Sequence, residues 1–155
     1  MAADERAEVR AELTRMTAKL FSHIPHNIAL GIELLELADR TARLRLPHDP
    51  RLVGDPTTGV LHGGAITSLL DACFGGAAFM AMTKPASIAT LDLRIDYLRP
   101  ATPGRDVFAV GHCYRVTRSV AFVRGVAFHE REDDPIASGA ATFMISADVR
   151  RGGGP

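Results

Sequence analysis

Val60-Leu61-His62-Gly63-Gly64-Ala65-Ile66-Thr67-Ser68-Leu69-Leu70-Asp71 decides how this chain is organised. A His-Gly-Gly turn opens an apolar run that continues to Met82. Asp71 is the single Asp, Glu, Lys or Arg between Asp55 and Lys84. A carboxylate in such a run is expensive to bury unless something satisfies or uses it. It is therefore the first candidate for chemistry.

The run is long enough to suggest a membrane span. It also contains His62, Thr67, Ser68, Asp71 and four glycines, and alternating strands follow it, so it is expected to be a buried central helix. Working upstream, Val9, Leu13, Met16 and Leu20 recur at helical spacing and predict an amphipathic helix over residues 4–22. Pro25 breaks it. Strands are predicted over 28–37 and 40–47, with Ala42, Leu44 and Leu46 alternating with Thr41, Arg43 and Arg45. Residues 48–60, with two prolines and two glycines, are expected to be a loop.

Downstream, the helix should end at Lys84-Pro85. Strands are then predicted over 88–98, 106–117, 119–130 and 136–146 as a four-strand meander. In the first of these, Leu91, Leu93, Ile95 and Tyr97 alternate with Thr90, Asp92, Arg94 and Asp96, giving one core face and one wet face. An apolar helix must be wrapped, and an antiparallel sheet curled around it does so, which makes the class α+β. The expected divisions are an N-terminal helix and linker (1–27), one domain (28–147) and a flexible tail (148–155).

Composition agrees with a single globular unit. The 155 residues are 46% hydrophobic and 23% charged, and 18 basic residues balance 18 acidic ones. Zero formal charge gives no general argument for nucleic acid or an anionic membrane, and neither is expected as a partner. Cys73 and Cys113 make no disulfide framework, and no Cys/His spacing resembles a zinc site. The charged N-terminus is unlike a secretory signal, so the expected location is the cytoplasm. His23, His26, His48, His112 and His129 are scattered and are expected to serve the surface or the packing.

The element order, Gly59-Val60-Leu61-His62-Gly63-Gly64, Asp71 nine residues after the His, and the segment Ala89 to Ala101 together resemble the hot-dog-fold acyl-CoA thioesterases. The nearest branch is the phenylacetate-degradation, or PaaI-like, thioesterases. The resemblance spans roughly residues 28–147. It implies a sheet wrapped around one helix and hydrolysis of an acyl-CoA without metal or redox cofactor. It implies that Gly63 donates its backbone N–H to the thioester carbonyl, that His62 shapes the turn, and that Asp71 acts as general base or nucleophile. Thr90 stands where the family often has a Ser or Thr that holds the water. One departure is plain: the family often has an Asn six residues before the His, and here that residue is Pro56.

These residue types suit thioester hydrolysis. A helix N-terminus stabilises the charge that develops on the carbonyl oxygen, and glycine allows close approach, with Gly64 beside Gly63 as a further substrate contact. A carboxylate can activate water or attack directly. Gly63 and Asp71 lie about 12 Å apart along one helix at 1.5 Å per residue. Both can act on one carbonyl only if two chains supply them, which predicts a homodimer with shared sites. Pairing of dimers into a tetramer is the further expectation. Arg99, Arg115, Arg118 and Arg124, near strand ends, are candidate contacts for the phosphates of coenzyme A. Phe74, Phe79, Met80 and Met82 are expected to wall the acyl pocket, which fits medium-chain, long-chain or aryl groups. The alternatives are a non-catalytic acyl-CoA-binding module and a hydratase on the same fold. The hydratase lacks a His in register with Asp71.

Overall fold

The computed structural model describes residues 3–146. Helix α1 (Ala3–Phe21) and a short helix α2 (Pro25–Leu30) precede strands β1 (Glu33–Ala38) and β2 (Thr41–Leu46). A small hairpin of β3 (Val53–Asp55) and β4 (Val60–Leu61) leads into helix α3 (Gly63–Met80). Strands β5 (Ser87–Tyr97), β6 (Val107–Val116), β7 (Val120–Phe128) and β8 (Pro135–Ser146) follow. Six of the strands form one antiparallel sheet in the order β1-β2-β6-β7-β8-β5. The sheet curls around α3, and this is the expected hot-dog arrangement.

The core lies between α3 and the concave face. Leu44 and Leu46 of β2, Val107 of β6, Val123 of β7 and Ile136 of β8 meet Leu69, Leu70 and Cys73 of α3, all fully buried. Most of α3 is thus enclosed by protein, although its length and hydropathy match a membrane span. Burial pushes the Cys73 thiol well above its ordinary range, so it behaves as a small core residue.

Phe74 sets the spacing between helix and sheet. Gly111, Gly125 and Gly139 stand opposite one another on β6, β7 and β8, forming a trough across three strands. The fully buried Phe74 ring fills it. A Cβ at Gly125 would lie 2.6 Å from Phe74 Cε1 and 2.0 Å from the Val110 carbonyl oxygen. One at Gly111 would lie 2.9 Å from Phe74 Cδ1. Space, not backbone conformation, requires glycine here.

Several expectations need correction. Residues 28–30 belong to α2 and not to the first strand: Pro25 at its start and left-handed Gly31 (φ 70°) at its end are helix boundary signals. The last four strands are no meander. β5 pairs with β8 at the sheet edge, and the turn after it carries the chain across to β6. That pairing is non-local, so periodicity within each strand is blind to it. On α1 the buried row is Leu13 and Thr17, flanked by half-buried Val9 and Phe21, whereas Met16 and Leu20 are exposed. Leu13 docks with Phe79, Met80, Met82 and Ala86 at the far end of α3, which selects the i, i+4 row. The segment 48–60 holds the β3–β4 hairpin. The tail expected at 148–155 lies outside the described residues.

Gly125→Ala is expected to lower stability by about 3 kcal/mol or to prevent folding, because neither Val110 nor Phe74 can retreat. Urea unfolding checks this, and a midpoint close to the parent would show that the trough has slack.

Candidate active site

Local interactions fix the start of α3. His62 is the N-cap, and its Nδ1 accepts the Gly64 N–H at 2.9 Å. The His62 N–H donates to the Leu52 carbonyl at 2.8 Å, tying the cap to the end of the short 3-10 turn before β3. Gly54 is pressed against the cap: a Cβ there would lie 2.8 Å from His62 Cα. The Gly63 carbonyl accepts the Tyr97 hydroxyl at 2.7 Å and the Thr67 hydroxyl at 3.1 Å, and Ser68 Oγ donates to the Gly64 carbonyl at 3.0 Å. The Gly63 N–H, at the first helical position, has no acceptor inside the helix and lies at the positive end of its dipole.

The loop before the cap organises itself around Asp55. Its carboxylate accepts the Thr57 N–H at 2.9 Å, the Thr57 hydroxyl at 2.6 Å and the Thr58 hydroxyl at 2.9 Å. These bonds, the Thr57 hydroxyl first, hold its carboxyl below the usual carboxylate range. Thr58 N–H returns to the Asp55 carbonyl at 3.2 Å, which makes Pro56 the corner of a tight turn. Asp55 thus orders this loop where the resembled family often places an Asn.

Asp71 lies mid-helix and half-buried, and its Oδ1 accepts the Thr90 hydroxyl at 3.0 Å. Strict alternation along β5 would place Thr90 on the wet face with Asp92, Arg94 and Asp96. A β-bulge prevents this. Thr90 pairs with Phe143 and Asp92 with Thr142, so Leu91 is an extra residue without a partner. The parity of the strand reverses there, and Ile88, Thr90, Leu93 and Ile95 share the helix-facing side. Leu91 is correspondingly 57% exposed. Tyr97 falls on the same inward side, from which it reaches Gly63 and Thr67.

Asp71 and Thr90 open onto a cavity of about 500 Å³ between α3, β5 and the N-terminal helices. Leu20, Phe21 and Ile24 roof it, while Phe79, Leu93 and Phe143 supply further apolar wall. Of the four aromatic and Met residues expected there, only Phe79 contributes. Phe74 is in the glycine trough, and Met80 and Met82 pack under Leu13.

His62 and Gly64 line a separate hollow of about 370 Å³ with Leu30, Arg51 and Val53. His26 and Ser68 border both spaces and meet at 3.0 Å (Nε2 to Oγ). The fold therefore brings Asp71 to Thr90, and Gly63 to Thr67 and Tyr97, but does not bring Gly63 to Asp71 within one chain. Tyr97, Thr67, His26 and Ser68 were not singled out from sequence. Only Thr67 and Ser68, one turn after Gly63 and Gly64, carried a local signal.

The arginines do not form one patch. Arg99, at one end of the sheet, pairs with Asp134 at 3.0 Å. Arg115 and Arg118 are exposed at the opposite end, around the β6–β7 turn. Arg124 is mid-strand, with its guanidinium 5.4 Å from the Tyr114 ring centre. Among the described residues no group of three or more His, Cys, Asp or Glu side chains gathers as a metal site.

Residues 58–136 match the family model of the thioesterase superfamily. The medium/long-chain acyl-CoA thioesterase YigI of Escherichia coli K12 is 35% identical over 136 residues, covering 79% of this chain and 86% of that protein. A Pseudomonas aeruginosa protein of known crystal structure is 38% identical with a TM-score of 0.77, covering 85% of this chain and 98% of its own. A variant of the phenylacetic acid degradation protein PaaI from Thermus thermophilus is 28% identical with a TM-score of 0.68, covering 78% of this chain and 98% of its own.

His62→Ala is expected to cost about 1 kcal/mol through loss of the cap, and His62→Asn, which can accept the same N–H, should restore most of it. Equal melting temperatures for all three proteins would show that the ring does not cap the helix in solution.

Proposed function

Because the chain belongs to the thioesterase superfamily, we propose that it hydrolyses medium-chain, long-chain or aryl acyl-CoA esters, with Asp71 as general base or nucleophile. The thioesterase assignment itself follows from the family match and the 35% identical relative. The observation that carries the mechanism is the Thr90–Asp71 pair on the wall of an apolar cavity. Thr90 occupies Oδ1 and leaves Oδ2 for water. In the general-base route, Asp71 takes a proton from water as its oxygen attacks the thioester carbon, and coenzyme A leaves as thiolate. In the nucleophilic route, the carboxylate attacks first and water hydrolyses the resulting anhydride. Both end in free acid and coenzyme A, and neither calls on a metal or redox cofactor.

The oxyanion is assigned to the Gly63 N–H of a second copy, since Gly63 and Asp71 of one chain are eight residues apart on α3 and Gly63 does not line the Asp71 cavity. Strand β5 supports this pairing. It is a sheet edge, and Leu91, Tyr97 and Leu98, on it and just past its end, are exposed. A long strand at a sheet edge can take a partner strand. A two-fold dimer completes two sites at once, and pairing of dimers gives a tetramer. His62 holds the donor turn, and Gly64 borders the substrate there. Arg115 and Arg118 are the freer candidates for coenzyme A phosphates, because Arg99 is already paired with Asp134. Two free buried thiols suit the reducing cytoplasm.

Free-thiol release from acyl-CoA esters, acetyl to palmitoyl plus phenylacetyl and hydroxybenzoyl, tests the assignment. Asp71→Asn is expected to lose about a hundredfold or more in kcat with its fold intact. Thr90→Val should lose about tenfold. Wild-type turnover in Asp71→Asn would sink the mechanism. Binding without hydrolysis across the panel would favour a non-catalytic acyl-CoA-binding module.

A mixing experiment tests the shared site. Gly63→Pro removes the donor at a helical position that tolerates proline. Gly63→Pro and Asp71→Asn chains, each inactive alone, should recover about a quarter of wild-type activity when mixed equally, since half the dimers then carry one intact site. No recovery from confirmed mixed dimers would place both groups in one chain.

A further inference from the structure

From His62 to Gly64 every backbone polar group is held but one. The His62 N–H donates to the Leu52 carbonyl at 2.8 Å, and the His62 carbonyl accepts the Ala65 N–H at 3.0 Å. The Gly64 N–H donates to His62 Nδ1 at 2.9 Å, and the Gly64 carbonyl accepts the Ser68 hydroxyl at 3.0 Å. The Gly63 carbonyl accepts two hydroxyls, the shorter bond coming from Tyr97 at 2.7 Å and the longer from Thr67 at 3.1 Å. The Gly63 N–H alone is left to aim outward.

Most of these ties are local to the turn and the helix. Tyr97 is not: it reaches in from β5, where it is paired with Ala137 of β8. Two successive glycines give this turn more conformational freedom than any other residues would. The Gly63–Gly64 peptide pivots unless both its ends are fixed. His62 fixes the N–H end, and Tyr97 ties the carbonyl end to the sheet. The Tyr97 side chain does little else. It is 49% exposed, and a phenylalanine would serve the strand position equally well. It does not line the Asp71 cavity of its own chain. Its hydroxyl passes so close to Gly63 that a Cβ there would lie 3.3 Å from the oxygen. The missing side chain at 63 and the hydroxyl at 97 are matched.

We infer that Tyr97 is a positioning residue for the thioester carbonyl: its hydroxyl, by fixing the Gly63–Gly64 peptide, keeps the Gly63 N–H aimed at the place where the oxyanion develops. This rests on the reading of Gly63 as the oxyanion donor. A donor aimed in advance needs no reorganisation as charge builds up, so its effect falls on the transition state more than on substrate binding. Tyr97 transfers no proton in either hydrolytic route.

The test uses Tyr97→Phe, which keeps the ring and removes only the oxygen. On the fastest ester of the panel, kcat is expected to fall about tenfold, as for one hydrogen bond lost at the transition state, with KM within about twofold. The second measurement is spectroscopic. The ketone analogue of the same ester, S-(2-oxoundecyl)-CoA for decanoyl-CoA, has a methylene between sulfur and carbonyl and is not hydrolysed. Its carbon-13 carbonyl resonance should move downfield on binding to wild type, because a donated N–H polarises the carbonyl, and should move less in Tyr97→Phe. A residue that only supported the fold would alter the melting temperature and leave the bound resonance at its wild-type position. A kcat within about twofold of wild type, or a lowered kcat with the bound resonance unchanged, overturns the inference. An active wild type that leaves the resonance unmoved would overturn Gly63 as donor, and a wild type inactive on every ester would overturn the thioesterase mechanism; the role of Tyr97 falls with either.

Discussion

The packing of Phe74 into the trough formed by Gly111, Gly125 and Gly139 is the constraint on which the other distances depend. Helix and sheet meet without a layer of side chains from three consecutive strands. That close approach on the β6–β7–β8 side is what leaves room on the opposite flank of α3. There the cavity opens between Gly75, Gly76, β5 and the N-terminal helices. A larger residue in the trough would push α3 outward and close the cavity from below. The core and the pocket are thus two faces of one helix position.

A second constraint acts at the edge of the sheet. Without the bulge at Leu91, Thr90 would point away from α3 and Leu91 would occupy the inward position. The bulge gives up one rung of pairing and exposes a leucine, both unfavourable for an isolated strand. In return a hydroxyl meets the Asp71 carboxylate at 3.0 Å. Tyr97 follows the plain alternation from Leu93 onward and reaches the start of α3, where its hydroxyl holds the Gly63 carbonyl. One inserted residue therefore puts Thr90 and Tyr97, seven positions apart, on the same side of the strand.

What the sequence discloses follows from how local each signal is. The start of α3 is legible because His62, Gly63 and Gly64 are consecutive and the cap is a contact two residues long. Asp71 stands out as a lone charge in an apolar run. Alternation in β2 predicts its buried face residue by residue. Strand order is not legible that way: β5 has the same periodicity whether it lies beside β6 or β8. Thr90 entered through family resemblance, and alternation alone would have set it among the solvent-facing residues. On α1 the stripe was misplaced by one residue at Met16 because the docking surface, set by Leu13 against Phe79 and Met80, lies more than sixty positions away in sequence. The short α2 had its signals in plain view, with Pro25 at its start and Gly31 at its end. Proline read only as a breaker hides the helix that it opens.

The arrangement separates the proposed chemistry from the roof of the cavity. Asp71, Thr90 and Gly63 belong to α3 and β5, elements locked to the sheet by the core and by long-range pairing. Thr17, Leu20, Phe21, Ile24 and Asn27 belong to the N-terminal helices, which meet the domain through Leu13 at one end and through His26 and Ser68 at the other. Substitutions in α1 and α2 can therefore reshape the roof without moving the carboxylate or the helix cap. A carboxylate fixed by the sheet and a roof carried on two attached helices form a division along which substrate preference can drift while the hydrolytic groups stay in place.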